Sequence, residues 1–369
     1  MSAKNRRLTA LVLLLALLLT GCGSLNFSSA EAPEIIAADG SSLGDRTPWC
    51  TANHALAESL RAAIEREENI TIQGWATDTI AACLDELMEQ PELFWFRGYH
   101  ISATTGLRTT AEITFTWLYE DGPAKYQALC DKCDEILLYA PWGNDYAMAL
   151  YIYEWLERNV TYAENEGYDQ TAYAAICEGS AVCGGIADAF ALLMHRAGYD
   201  ACTVTGDAVQ DGERTTHAWN YAVLDGAVYG FDLTWDNTDL YDAAGNEYLS
   251  HDWFAVTSAE MNTAHTPSRE ADNITATANA DNFYIREGCL ITEDSVDAVM
   301  AALQPQFSAG RNTLAFRCAS REVFDTVCFR LFDLGEVSRV LRRMGAVGSG
   351  SYTLTYTQQP DLFSVTLYL

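Results

Sequence analysis

The chain has 369 residues, with 51 acidic side chains against 22 basic ones and a formal net charge of −29. Its hydrophobic content of 49% and aromatic content of 11% exclude wholesale disorder and leave room for two or three domains. A surface this acidic cannot displace counterions from phosphate, so a nucleic-acid partner is excluded.

Lys4, Arg6 and Arg7 form a positive start, followed by an apolar run over 8–20 broken only by two threonines. That run is too short to span a bilayer comfortably. It closes on Leu19-Thr20-Gly21-Cys22, which resembles a bacterial lipobox. The resemblance implies a signal peptide over 1–21 and lipidation of Cys22. It also implies a mature protein anchored by lipid to the cell membrane, on its extracytoplasmic face. Residues 22–46 are rich in Ser, Ala and Gly and read as a flexible tether. No later stretch reaches about 18 apolar residues, so no transmembrane helix is expected.

Residues 47–140 read as an N-terminal α+β domain. Apolar spacing predicts helices over 54–66 and 79–88, with Pro91 closing the second. Alternation over 111–117 and a turn at 104–108 predict a hairpin over 99–118. The aromatic run at Phe94, Trp95 and Phe96 reads as core. Cys130 and Cys133 form a single CxxC without a second pair, so two buried or helix-face thiols are expected rather than zinc. The chain has 11 cysteines without the dense spacing of a small disulfide scaffold, so their pairing is open.

Residues 141–272 carry the chemistry. Helices are predicted over 146–157 and 183–196, and β segments over 219–224 and 227–235. Cys183 opens its helix after a Gly- and Ser-containing loop. Free amides and the dipole at a helix N-terminus favour a thiolate there. Gly184 and Gly185 leave space for substrate at the sulfur. A nucleophilic Cys needs a base, and the base needs an orienter. His217 leads the next β segment, and Asp225-Gly226 is a strong two-residue hairpin turn. A tight turn pairs Leu224 with Ala227 and puts His217 and Asp232 on one face as diagonal neighbours. Asp236 is the other diagonal neighbour and the alternative orienter.

In this reading Cys183 attacks a carbonyl, His217 moves the proton and Asp232 holds the imidazole. The Cys183 amide is an expected oxyanion donor. Trp219 and Trp235 are candidates to line the substrate cleft. Val182-Cys183-Gly184-Gly185-Ile186-Ala187, His217-Ala218-Trp219-Asn220 and Phe231-Asp232-Leu233-Thr234-Trp235-Asp236 together resemble the bacterial transglutaminase-like superfamily. The downstream stretches at Trp253–Ser258 and His265-Thr266-Pro267 also resemble it. The resemblance covers about 145–270 and implies a papain-like core with Cys, His and Asp in this order. Gly185 departs from it, since many members carry an aromatic residue there.

The remaining histidines, His54, His100, His195, His251 and His265, are read as structural or solvated, with His251 and His265 also able to rim the cleft. The acidic run at Asp236, Asp239 and Asp242 does not fit a calcium loop. No metal or cofactor is expected.

Residues 273–369 read as a C-terminal α+β domain. Strands are expected over 283–286, 313–317, 352–356 and 362–368, and helices over 295–303, 322–331 and 336–344. The expected fold is α+β, with a transglutaminase-like core between two flanking domains. The expected function is a membrane-anchored cysteine enzyme acting on protein or peptide amides, of the cell wall or cell surface. The alternative is a non-catalytic surface lipoprotein that keeps the fold for binding.

Overall fold

The computed structural model describes residues 54–88, 90–105, 109–163, 170–210, 212–237, 240–242, 245, 248–269 and 274–369. The expected signal peptide, Cys22, the tether, Cys50, the hairpin tip at Gly106 and Asp239 lie outside the described residues. Among the described residues no helix is long and apolar enough to cross a membrane.

The first helix, α1 (His54–Glu65), buries Leu56, Leu60, Ala63 and Ile64 along one face. It is followed by β1 (Ile70–Gln73), α2 (Thr77–Met88), β2 (Phe96–Thr105) and β3 (Thr109–Trp117). The three strands form an antiparallel sheet in the order β1-β3-β2. β1 was not anticipated, because four residues are too few for an alternation to show. Trp95 and Phe96 are buried in the core of this region, as their apolar run predicts. Next comes α3 (Gly122–Leu137), which carries Cys130 and Cys133. Trp95 lies on its first turn, where a Cβ on Gly122 would come within 2.0 Å of the indole.

The following helix, α4 (Asp145–Asn159), is capped by Asn144, whose side chain accepts from the Ala147 amide at 2.9 Å. The short strands β4 (Thr161–Tyr162) and β5 (Ser180–Ala181) pair in parallel, with a π-turn over Ala174–Glu178 before β5. Then come α5 (Cys183–Arg196), β6 (Ala201–Gln210), β7 (Glu213–Leu224) and β8 (Ala227–Phe231). After these lie α6 (Leu233–Asp236), α7 (Ser258–Met261) and β9 (His265–Pro267). The antiparallel sheet runs β8-β7-β6-β9, and α5 packs on its two central strands.

The Asp225-Gly226 turn is tight, with φ of 50° and 79°, and Leu224 pairs with Ala227 as expected. The strand predicted over 227–235 is shorter, however. It ends at Phe231, because Asp232 caps a helical turn by accepting from the Trp235 amide.

The rest comprises α8 (Phe283–Arg286), β10 (Leu290–Ile291), α9 (Val296–Ser308) and β11 (Thr313–Cys318). They are followed by α10 (Arg321–Cys328), α11 (Val337–Met344), β12 (Thr355–Gln359) and β13 (Ser364–Tyr368). The predicted strand over 283–286 is instead a helical turn. Asn282 caps it, and the consecutive Phe283 and Tyr284 are both buried, which a two-fold alternation would not allow. The helix predicted over 322–331 changes to a π-turn after Cys328, and the strand predicted over 352–356 begins at Thr355. The sheet order is β10-β11-β13-β12.

The fold is thus α+β. One apolar cluster extends from Leu129 to Leu367 and runs across position 272, while a second spans Leu56 to Tyr119. A third, around Trp219 and Trp253, lies behind the site described next.

Candidate active site

Cys183 is the first residue of α5, half-buried, and preceded by an extended Val182 whose side chain makes no cap. The positive end of the helix dipole is therefore left to the sulfur. The buried Ile186, Phe190 and Leu193 anchor the helix behind it. His217 lies on β7 and hydrogen-bonds Cys183. Its Nε2 is 2.7 Å from Asp232 Oδ2, which leaves Nδ1 for the sulfur. Asn220, three residues along β7, ties that strand to the nucleophile helix. Its Nδ2 donates to the Ala187 carbonyl at 2.9 Å and to the Cys202 carbonyl at 3.2 Å.

The electrostatics follow from burial and contact. Burial would push the His217 imidazole down. The charge and hydrogen bond of Asp232, joined by those of Cys183, prevail and raise it to about 10. Burial would push Asp232 up, but the charge and hydrogen bond of His217, with those of His265, hold its carboxyl well below the usual range. Asp232 Oδ2 accepts two ring N–H groups, and Oδ1 accepts the Trp235 amide at 3.2 Å.

The second of those rings was not anticipated. His265, read from sequence as structural or solvated, has its Nε2 2.9 Å from Asp232 Oδ2 and its Nδ1 3.0 Å from the Met261 carbonyl. Its side chain is fully buried. The resemblance of His265-Thr266-Pro267 to the family pattern marks the stretch, but nothing local marks its contact with Asp232, 33 residues earlier in the chain.

The alternative orienter, Asp236, is removed from His217. It sits on the helical turn α6 rather than on a continued strand. Its Oδ2 accepts from Tyr153 Oη at 2.7 Å and the Trp253 amide at 2.9 Å. Its Oδ1 accepts from Ser250 Oγ at 2.9 Å and the Asp252 amide at 3.0 Å. Burial and the neighbouring Asp252 carboxylate push Asp236 up. It braces the segment that carries Trp253 and takes no part in the Cys183–His217–Asp232 line.

Of the four expected cleft residues, Gly184 and Trp235 are half-buried, whereas Gly185 and Trp219 are buried. Those two pack behind the site rather than line an open surface. Trp219 still lies beside the His217 imidazole, with ring centroids 6.4 Å apart, and Trp235 stacks on it at 5.3 Å. His195 closes the C-terminus of α5, with Nε2 2.7 Å from the Ala201 carbonyl. His251 stacks on Phe283 at 3.9 Å. His54 Nε2 lies 3.1 Å from Glu58 Oε1 on the exposed face of α1.

His217, Asp232 and His265 also form a group whose donor atoms lie within 4.8 Å of one another, close enough for a metal ion. Both Nε2 atoms face one carboxylate oxygen, an arrangement that two N–H donors on a carboxylate also satisfy. Together the residues set a thiol against an imidazole that a buried carboxylate holds in place, the arrangement in which the ring can take the thiol proton.

Residues 139–235 match the model of the transglutaminase-like superfamily. That span contains Cys183, His217 and Asp232 but not His265. No curated protein matches the chain. Among solved structures, a TGase is 14% identical, with a TM-score of 0.27, over 47% of this chain and 53% of its own. A candidate cysteine protease from Cytophaga hutchinsonii is 16% identical, with a TM-score of 0.28, over 58% of this chain and 72% of its own. Menin, in a structure that reveals its binding site for the Mixed Lineage Leukemia protein, is 14% identical. Its TM-score is 0.25, over 62% of this chain and 54% of menin. The chain thus spans about half the length of the TGase (53%). The chain contains a transglutaminase-like domain, and the side chains it assembles are those of a candidate cysteine enzyme.

Proposed function

We propose that this transglutaminase-like domain transfers acyl groups from protein or peptide amides through a thioester on Cys183. The observation that carries the reading is the unbroken contact chain from Cys183 through His217 to the buried Asp232 carboxylate. The Cys183 thiolate attacks the amide carbonyl carbon, and the carbonyl oxygen takes up negative charge beside the Cys183 backbone N–H. His217 then gives its proton to the departing amine nitrogen as the C–N bond breaks and the C–S bond remains. Neutral His217 next removes a proton from an incoming amine or water, which attacks the thioester and releases the thiolate. An amine gives transamidation and water gives hydrolysis.

The lipobox-like Leu19-Thr20-Gly21-Cys22 supports action at the outer face of a membrane, with Cys22 as the lipid anchor. Amides of cell-wall or cell-surface peptides are the substrates within reach there.

The test is iodoacetamide labelling of the full chain, followed by peptide mass spectrometry. Burial, foremost among the causes, pushes Cys133 and Cys318 up to about 12. It does the same for Cys177, Cys289 and Cys328, up to about 11. These thiols are protonated at neutral pH and react slowly. Cys183 is expected to alkylate first, and His217→Ala to abolish that preference. Equal labelling of Cys183 and the other thiols removes the proposal and leaves a surface-binding lipoprotein in its place.

A further inference from the structure

We propose that His265 is a second, doubly protonated histidine whose fixed positive charge keeps the catalytic aspartate ionised throughout the reaction. The assignment rests on the Cys183–His217–Asp232 reading above. It begins from donor and acceptor counting. A neutral imidazole has one N–H and one lone pair. Both nitrogens of His265 face acceptors, the Met261 carbonyl at 3.0 Å and the Asp232 carboxylate at 2.9 Å. A carbonyl can only accept, and so can an ionised carboxylate, so both nitrogens of His265 must donate.

The surroundings suit a cation. Three indoles enclose the ring, with centroids 4.4 Å away for Trp235, 4.9 Å for Trp219 and 5.0 Å for Trp253. The indole planes are tilted or edge-on to the imidazole, at 45° for Trp235, 61° for Trp219 and 74° for Trp253, and an indole attracts a cation where its face is presented. Among the described residues the ionisable groups that meet the ring are Asp232, from the β8–α6 junction, and His217, from β7. With its side chain fully buried, an isolated Asp232 carboxylate would be very costly.

The second cation has a mechanistic use. At rest the site holds a thiolate, two imidazoliums and one carboxylate, so its charges cancel. Once His217 has given its proton to the leaving amine, the thioester and neutral His217 carry no charge. Asp232 and His265 still cancel each other. Without His265, Asp232 would then be a buried anion with no cation beside it, held only by the neutral His217 Nε2–H and the Trp235 amide, and would compete for the very proton that His217 must take from the next nucleophile. His265 touches no reacting atom and is a positioning residue.

The experiment has two arms, both on the full chain. The first records the ring nitrogens of 15N-histidine-labelled protein by NMR at neutral pH, before and after iodoacetamide blocks Cys183. Signals are assigned with single His→Gln variants. Two protonated ring nitrogens on His265 in both states are expected. An unprotonated Nδ1 or Nε2 in either state overturns the proposal.

The second arm measures the pH profile of Cys183 alkylation in His265→Gln, which retains an amide donor for Asp232 and drops the charge. Losing a nearby cation moves the profile upward by roughly one pH unit, so that alkylation on its acid side slows about tenfold. A neutral histidine replaced by a neutral amide would leave the profile in place, and that result also overturns the proposal. If this variant does not fold, the NMR arm decides alone. If Cys183 proves no more reactive than the other thiols, the proposed function fails, while the ring-nitrogen measurement still reads His265 independently.

Discussion

Gly206 stands directly opposite His217 in the β6–β7 ladder and opposite Pro267 on its other side, in β9. His217 and the strand that carries His265 thus meet across one residue without a side chain. A Cβ on Gly206 would lie 2.2 Å from the Thr266 carbonyl oxygen and 2.9 Å from the Pro267 Cα. Both are backbone atoms and cannot swing aside. Gly206→Ala is expected to displace β9, destabilise the fold by about 1–3 kcal/mol and slow Cys183 alkylation. Gly184→Ala meets only the side-chain tip of Gln170, at 2.6 Å, and should alter stability much less. Thermal melts and thiol labelling of the two variants check this contrast.

The two aspartates near the site should separate in their variants. Asp232→Asn removes the charge and turns an amide N–H toward one of three N–H donors. The Cys183 preference in alkylation should collapse, by a factor on the order of 10²–10⁴. Asp236→Asn sets an amide nitrogen against a backbone N–H, Asp252 or Trp253, and should cost about 1–3 kcal/mol of stability. It should leave Cys183 the fastest thiol. The same labelling assay, with urea unfolding alongside, reads both.

The raised His217 links stability to pH. Its folded value of about 10 lies above the ordinary 6.5, so protonation favours the folded state. That contribution is full below about 6.5 and is lost as pH rises through about 10. His217→Ala should therefore cost more stability at about pH 6 than at about pH 11. Urea unfolding of both proteins at the two values gives the difference, and an equal cost at both contradicts the imidazolium.

The site was legible where local rules act. The Asp225-Gly226 turn sets the hairpin register, and Cys183 opens a helix that ends before a glycine. Asp236 misled because strand pairing was extended past Phe231, where the Asp232 side chain caps α6 and rotates later residues off the ladder. β6 escaped notice because Thr203, Thr205, Gly206 and Asp207 interrupt its apolar pattern, although it pairs with β7 along its whole length. His265 was illegible for a different reason. Its role comes from long-range packing of β9 against β6, and a lone histidine in a sequence does not reveal a distant carboxylate.

Leu331, Leu341 and Phe316 belong to the same apolar cluster as Phe190 and Ile186 on the nucleophile helix. Arg317 joins the two regions again, donating to Glu260 at 2.6 Å and to the Leu362 carbonyl at 2.7 Å. Elements that share a core melt together. A calorimeter should see α5 and the last quarter of the chain unfold in one transition. A mutational screen for lost activity would then return Leu341→Ala along with the catalytic residues, and only a stability measurement would tell the two kinds of hit apart.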